Sequence, residues 1–333
     1  MSYLDEHRNE IFKKYTKEEL IKDVENYKYG KGKLTKVLNH YFKELIFEAR
    51  GGRGSKSPMQ ALQDDKDMTF ILNFIKTKPK FYTGSEVSNV ESFFRNAGRI
   101  AQKVANFCPK NARDIYFRYF DEERERERER ERESIYCLDT SCGFGSRMSA
   151  VLLSGATYCG FDPNLRLVNK LNECARFYRE NNLISKNQKY YVYSCGSEVF
   201  KPKLCNKFDV SFTSPPYFNL EKYSEDSGAS TKNYNNYELW LEEFVKPTIE
   251  NTYRYLKIGG YAMINIKNLT HGRKEPLFDD WFKIFNEHSG FEFVEIFEMN
   301  HQAKRNYTMD YNYITRENYQ GFKEPIMVFR KVK

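Results

Sequence analysis

An α/β fold behind a helical N-terminal region is predicted for this 333-residue chain, and three observations predict it. From Ile135 onward, short apolar runs alternate with stretches of helical spacing, the pattern of strands laid between covering helices. The first of these runs, Ile135-Tyr136-Cys137-Leu138, passes through Asp139-Thr140-Ser141-Cys142 into Gly143-Phe144-Gly145, a Gly-x-Gly turn. Arg147 to Leu153 then reads as a helix. A later run, Phe208-Asp209-Val210-Ser211-Phe212, is stopped by Pro215-Pro216, because a proline pair cannot continue a sheet ladder. Glycines at a strand-to-helix turn let backbone approach a ligand closely.

Residues 1–106 read as a helical, basic region, and residues 107–333 as the α/β domain. Lys17 to Ile21 and Leu34 to Phe42 show helical spacing. Between helices, Ala49 to Pro58 is rich in glycine and base and holds no acid. Its Arg50, Arg53 and Lys56 are candidates for phosphate contacts on nucleic acid, against the reading of a solvated linker. A helix is expected to start near Pro109 or Asn111. Residues 121–133 carry five arginines and eight acids, a net −3, so the remaining chain carries +11. That low-complexity tract cannot bury a core face and its acids cancel its bases, which argues against a role on nucleic acid.

In the α/β domain the second strand, Thr157 to Phe161, ends at Asp162. An acid about 20 residues beyond the glycines is placed to take both ribose hydroxyls of a nucleoside cofactor. A helix over Leu165 to Arg179 follows, then a third strand, Lys189 to Cys195, ending at Gly196-Ser197-Glu198. The fourth strand is the run before Pro215. Residues 219–236 form a polar loop, Glu238 opens a helix reaching Leu256, and Gly259-Gly260 ends it. Tyr261 to Ile266, Phe291 to Phe297 and Pro325 to Arg330 read as strands, with a helix from Asp279 to His288. Between the last two strands, His301 to Tyr307 is a basic, aromatic hairpin insert whose Lys304 and Arg305 are further nucleic-acid candidates.

Composition narrows the function. A net charge of +8 is compatible with a nucleic-acid partner. No run of eighteen apolar residues occurs, and the first residues are too polar for a signal peptide, so a cytoplasmic protein is expected. Seven cysteines without Cys-x-x-Cys pairs fit reduced thiols and argue against zinc. The five histidines show no metal spacing, and no Ser-His-Asp set is legible.

The candidate chemistry lies at Ser214-Pro215-Pro216-Tyr217. The prolines fix their own φ and hold Ser214 and the Pro215 carbonyl in a stiff turn at a strand's end. Tyr217 sets a flat ring beside two oxygen acceptors, an arrangement suited to a planar substrate bearing an amino group.

Together these residues resemble the S-adenosylmethionine-dependent amino-methyltransferases of DNA. Asp139 to Gly145 is similar to their cofactor loop and Asp162 to their ribose-binding acid, while Ser214 to Tyr217 resembles their catalytic [Asp/Asn/Ser]-Pro-Pro-[Tyr/Phe/Trp] tetrapeptide. The loop departs from many members in carrying Thr140-Ser141-Cys142 where they show Pro-Phe. The resemblance, from about Cys108 to the C-terminus, implies a Rossmann-like seven-stranded methyltransferase sheet with helices on both faces and strand seven antiparallel. It implies S-adenosylmethionine as cofactor, touched by Phe107, Asp139, Ser141, Gly143, Gly145 and Asp162, with Ser197 or Glu198 at its adenine. DNA is the implied partner, with the target base flipped out of the duplex. A first-position serine resembles the N4-cytosine branch more than the N6-adenine branch. Rivals are methyl transfer to RNA or to a protein glutamine, and a catalytically inactive nucleic-acid-binding module.

Overall fold

The structure, a computed structural model, describes residues 9–51, 56–96, 100–120, 134–218, 234, 236–268, 275–299, 311–314 and 324–333. The chain divides into two compact units, one from Met1 to Asn106, the other comprising Phe107–Phe218 and Ser230–Lys333.

The first unit is helical: α1 Lys17–Lys28, α2 Thr35–Glu48, α3 Pro58–Gln63, α4 Asp65–Lys76 and α5 Glu86–Asn96. Three of these begin at side chains that satisfy the otherwise orphaned first-turn N–H groups. Thr16 with Glu19, and Ser57 with Gln60, form reciprocal capping boxes, and Asp64 accepts from Lys66 and Asp67. Their inner faces bury Val24, Phe42, Phe47, Met68, Ile71, Phe93 and Phe94.

The second unit opens with α6 Pro109–Tyr116, its proline in the first turn, where a missing N–H costs nothing. Then β1 Tyr136–Asp139, α7 Ser146–Leu153, β2 Thr157–Phe161, α8 Leu165–Glu180, β3 Tyr190–Tyr193 and β4 Phe208–Thr213 alternate as expected. After α9 Tyr237–Trp240 and α10 Lys246–Tyr255 come β5 Leu256–Asn265, α11 Leu277–Glu287, β6 Phe291–Met299, β7 Tyr311–Ile314 and β8 Pro325–Lys331. The sheet order is β3-β2-β1-β4-β5-β8-β6-β7. Strands β3, β2, β1, β4 and β5 are mutually parallel, and β8 runs antiparallel between β5 and β6. All seven expected strands are present, the last one antiparallel. The eighth, β7, pairs antiparallel with β6, and the expected hairpin insert, His301 to Tyr307, lies outside the described residues. Every residue of β2 and β4 is buried, as parallel strands covered on both faces require.

Two boundaries differ from the sequence reading. Gly259-Gly260 does not end a helix; it lies inside β5. Gly259 has φ +83°, and a Cβ on Gly260 would stand 3.0 Å from the Asp209 carbonyl, so the pair forms a bulge against β4. The helix expected from Glu238 to Leu256 is interrupted by a π-helical turn at Leu241–Val245. Pro247, in the first turn of α10, has no N–H to continue the regular ladder.

Candidate active site

In an open parallel sheet, side chains that act on ligands gather beyond the carboxyl ends of the strands. Here β1 and β4 are neighbours, and both deliver candidate residues to that edge. Asp139, the last residue of β1, is fully buried, and both its oxygens are occupied. One accepts from the Ser141 N–H at 3.2 Å and Thr213 Oγ1 at 3.2 Å, the other from Tyr158 Oη at 3.0 Å and Arg147 Nε at 2.8 Å. Arg147 also donates to the Ser141 carbonyl, and its guanidinium stands 5.9 Å from the Phe107 ring centre. Asp139 thereby ties the turn to β4. Tyr116 adds a second tie, its hydroxyl 2.9 Å from the Phe212 carbonyl and 3.4 Å from that of Leu138.

The Gly-x-Gly turn depends on its glycines. Gly143 (φ +60°) and Gly145 (φ +74°) occupy the left-handed region, and Gly145 caps α7. The turn leans on β2, with the Cys142 N–H bonded to the Phe161 carbonyl at 3.0 Å. Ser141, whose hydroxyl bonds the Thr140 carbonyl at 2.8 Å, stands half-buried in the turn.

Asp162 follows β2 directly. Its carboxylate accepts from the Asn164 N–H at 2.9 Å and from the Gly143 N–H, so acid and glycine turn face one another. Burial pushes its carboxyl up to about 7, and nearby Asp139 pushes the same way.

Beyond β3, Ser197 and Glu198 part company. Ser197 is 1% exposed; its hydroxyl is bonded to Thr248 Oγ1 at 2.8 Å and its carbonyl to the Asn251 amide at 2.9 Å. Its side chain thus anchors the loop to α10. Glu198 is half-buried, and its Oε2 is buried without a hydrogen-bond partner among the described residues. Burial raises its carboxyl above the ordinary range.

Strand β4 ends at Thr213, so the tetrapeptide starts at the strand's edge. Ser214 is half-buried, and its hydroxyl has no hydrogen-bond partner among the described residues. Pro215 is buried and Pro216 half-buried. The half-buried Tyr217 packs against the core, and its hydroxyl accepts from the Lys267 N–H at 3.1 Å, which pins the ring beside the end of β5. Phe107, half-buried, meets Phe212 edge-on at 5.4 Å. Arg147, Tyr116 and Lys267 were not singled out in the sequence; Arg147 alone carried a signal, a charge inside an otherwise apolar helix.

The nucleic-acid candidates fare differently. Arg50 is half-buried, while Arg53, Lys304 and Arg305 lie outside the described residues. Lys56 pairs with Asp64 at 3.0 Å and Asp67 at 2.6 Å inside the helical unit. Among the described residues no cluster of histidine, cysteine or acid could hold a metal, and no helix is long and apolar enough to cross a membrane. All seven cysteines are free.

The groups left open fit a nucleoside cofactor bearing a carboxyl and an amine: the turn's backbone, the Asp162 carboxylate and the orphaned Glu198 oxygen. Residues 208–333, which contain Ser214 to Tyr217, match the family model for DNA methylases of the N6/N4 type. No curated protein sequence matches the chain. Solved structures that resemble it include a TehB-like SAM-dependent methyltransferase from Corynebacterium glutamicum, 18% identical, covering 60% of this chain and 80% of that one, with a TM-score of 0.37. Another is an rRNA methylase from Streptococcus thermophilus, 12% identical, covering 69% and 100%, TM-score 0.38. A third is the tRNA (m1A58) methyltransferase TrmI from Aquifex aeolicus, 12% identical, covering 69% and 72%, TM-score 0.39. The sheet is that of a Rossmann-like methyltransferase fold, and its stretch from β4 to β8 is similar to the DNA methylases of the N6/N4 type.

Proposed function

We propose that this protein methylates the exocyclic amine of a flipped DNA base, with N4 of cytosine as the target. The observation that carries the reading is Ser214-Pro215-Pro216-Tyr217 at the end of β4, joined to the glycine turn through the Thr213–Asp139 bond of 3.2 Å. S-adenosylmethionine, when bound, supplies an electrophilic methyl group on a sulfonium. Asp162 would hold its ribose hydroxyls, the Gly143 backbone would admit it closely, and Glu198 and Phe107 would flank it.

An exocyclic amine is a poor nucleophile because its lone pair is delocalised into the ring. Ser214 Oγ and the Pro215 carbonyl accept its two hydrogens and favour a localised lone pair on nitrogen. The Tyr217 ring, held through its hydroxyl, stacks on the base and fixes the amine's approach. Cytosine is preferred over adenine because Ser214 stands where the adenine branch of the family usually carries aspartate. DNA incubated with the protein and cofactor, digested to nucleosides and weighed by mass spectrometry, is expected to yield N4-methylcytosine. N6-methyladenine alone would overturn the base assignment. Cofactor binding without any methylated base would overturn the substrate.

A further inference from the structure

The helical unit carries an exposed surface to which neither the fold nor the proposed reaction gives a role. Helix α4 buries Met68, Ile71, Leu72 and Ile75 and turns Phe70 outward, 44% exposed. Phe74 stacks beside Phe70, ring centres 6.1 Å apart and planes 25° from parallel. Past the helix end the chain makes an ordered turn: the Lys78 N–H bonds the Ile75 carbonyl at 3.1 Å, and the Phe81 N–H bonds that of Lys78 at 3.0 Å. Buried Asn89 clamps the far side, donating to the Gly84 carbonyl at 2.9 Å and accepting from the Gly84 N–H at 3.1 Å. This held turn leaves Phe81 79% exposed.

Residues 68–85 contain Lys76, Lys78 and Lys80 and no acid. All three lysines are exposed, and none is in an ion pair with a described residue. Lys78 Nζ stands 5.2 Å from the Phe74 ring centre. A lysine in a helix's last turn answers the helix dipole, which accounts for Lys76 but not for Lys78 and Lys80 beyond the end. Single exposed apolar residues are ordinary, but paired rings beside an unopposed row of positive charge are the features that grip a nucleic-acid strand with free bases.

We infer that Phe70, Phe74 and Phe81, with Lys76, Lys78 and Lys80, form a binding surface for single-stranded DNA. The rings stack on unpaired bases, and the lysines lie along the phosphates. The choice of DNA rests on the methylation reading above; the surface itself does not depend on it.

The test is fluorescence anisotropy of the full-length protein with a dye-labelled oligodeoxynucleotide, single-stranded or annealed, over a salt series. Phe70→Ala with Phe81→Ala is expected to weaken single-strand binding about tenfold and duplex binding less than twofold, with Phe81→Trp retaining affinity. Lys76→Gln, Lys78→Gln and Lys80→Gln together are expected to flatten the salt slope by about 2, near 0.7 for each lost phosphate contact. Phe81→Ala alone carries the test if the double variant unfolds. Equal losses on single strand and duplex, binding unchanged within twofold, or binding to phosphatidylserine vesicles in place of DNA would each overturn the inference. If these dependences appear without any DNA methylation, the proposed reaction fails and the surface stands. If methylation proceeds while they are missing, the reverse holds.

Discussion

Asp162 meets opposing demands at one carboxyl. Burial raises it from 3.8 to about 7, with Asp139 adding to the rise and the Asn164 N–H, Arg147 and the Gly143 N–H acting against it. Between those values the folded protein holds a proton that the unfolded chain has lost, so stability falls as pH rises from about 4 to about 7. Asp162→Asn is expected to remove that slope, melting above the parent at about pH 8 and level with it near pH 4; the gain is a few kcal/mol at most. Accepting two sugar hydroxyls requires the ionised acid. The parent's affinity for S-adenosylmethionine should therefore rise through about pH 7, while that of Asp162→Asn is lower and flat. Calorimetric titration across that range checks it, and a flat parent profile would remove Asp162 from the site. Ser214→Ala is expected to do the opposite, lowering kcat strongly with cofactor affinity nearly intact, because its bonds to the amine strengthen only towards the transition state.

At the scale of elements, β1, its glycine turn and β4 are joined through the buried Asp139–Arg147 pair. Arg147→Met leaves Asp139 as an uncompensated buried charge, and a loss of about 3–5 kcal/mol is expected in denaturant melts. Asp139→Asn in the same chain should recover part of it, since the charge is then gone. A full additive loss would mean the two side chains are not energetically coupled. Gly160 in β2 supports the same turn from below: a Cβ there would stand 2.4 Å from Cys142 Sγ and 2.8 Å from Tyr158. Gly160→Ala should therefore lower both melting temperature and cofactor affinity. The strands were legible because β2 and β4 are short apolar runs bounded by turn residues. The role of Gly259-Gly260 was not, since a Gly-Gly after helical spacing reads as a helix end. What fixes its geometry is the carbonyls of β4, some fifty positions away in sequence. The partners of Ser197 and Lys56 were illegible for the same kind of reason: only the fold shows Thr248 beside the one and Asp67 beside the other.

For the whole molecule, the antiparallel last strand came from the family resemblance and not from periodicity, which marks strands but not their neighbours. Charge distribution, by contrast, is written in the sequence. Residues 121–133 hold a net −3 in a chain of +8. The described residues on either side of them are tied to the sheet. On one side, Tyr119 stacks on Tyr261 at 4.2 Å and Arg118 pairs with Glu295 at 3.0 Å. On the other, Ser134 meets Thr157, the first residue of β2, at 3.3 Å. The tract holds no candidate site residue, and its acids cancel its arginines, so its composition gives it no part in the reaction. Replacing it with a Gly-Ser linker of equal length should leave kcat and cofactor affinity within about twofold. The net charge would rise by three, so DNA affinity should increase at low salt and converge with the parent's as salt screens the difference. Methyl-transfer assays and anisotropy over a salt series check both halves. A tenfold loss of kcat would give the tract a part in the reaction that its composition does not support.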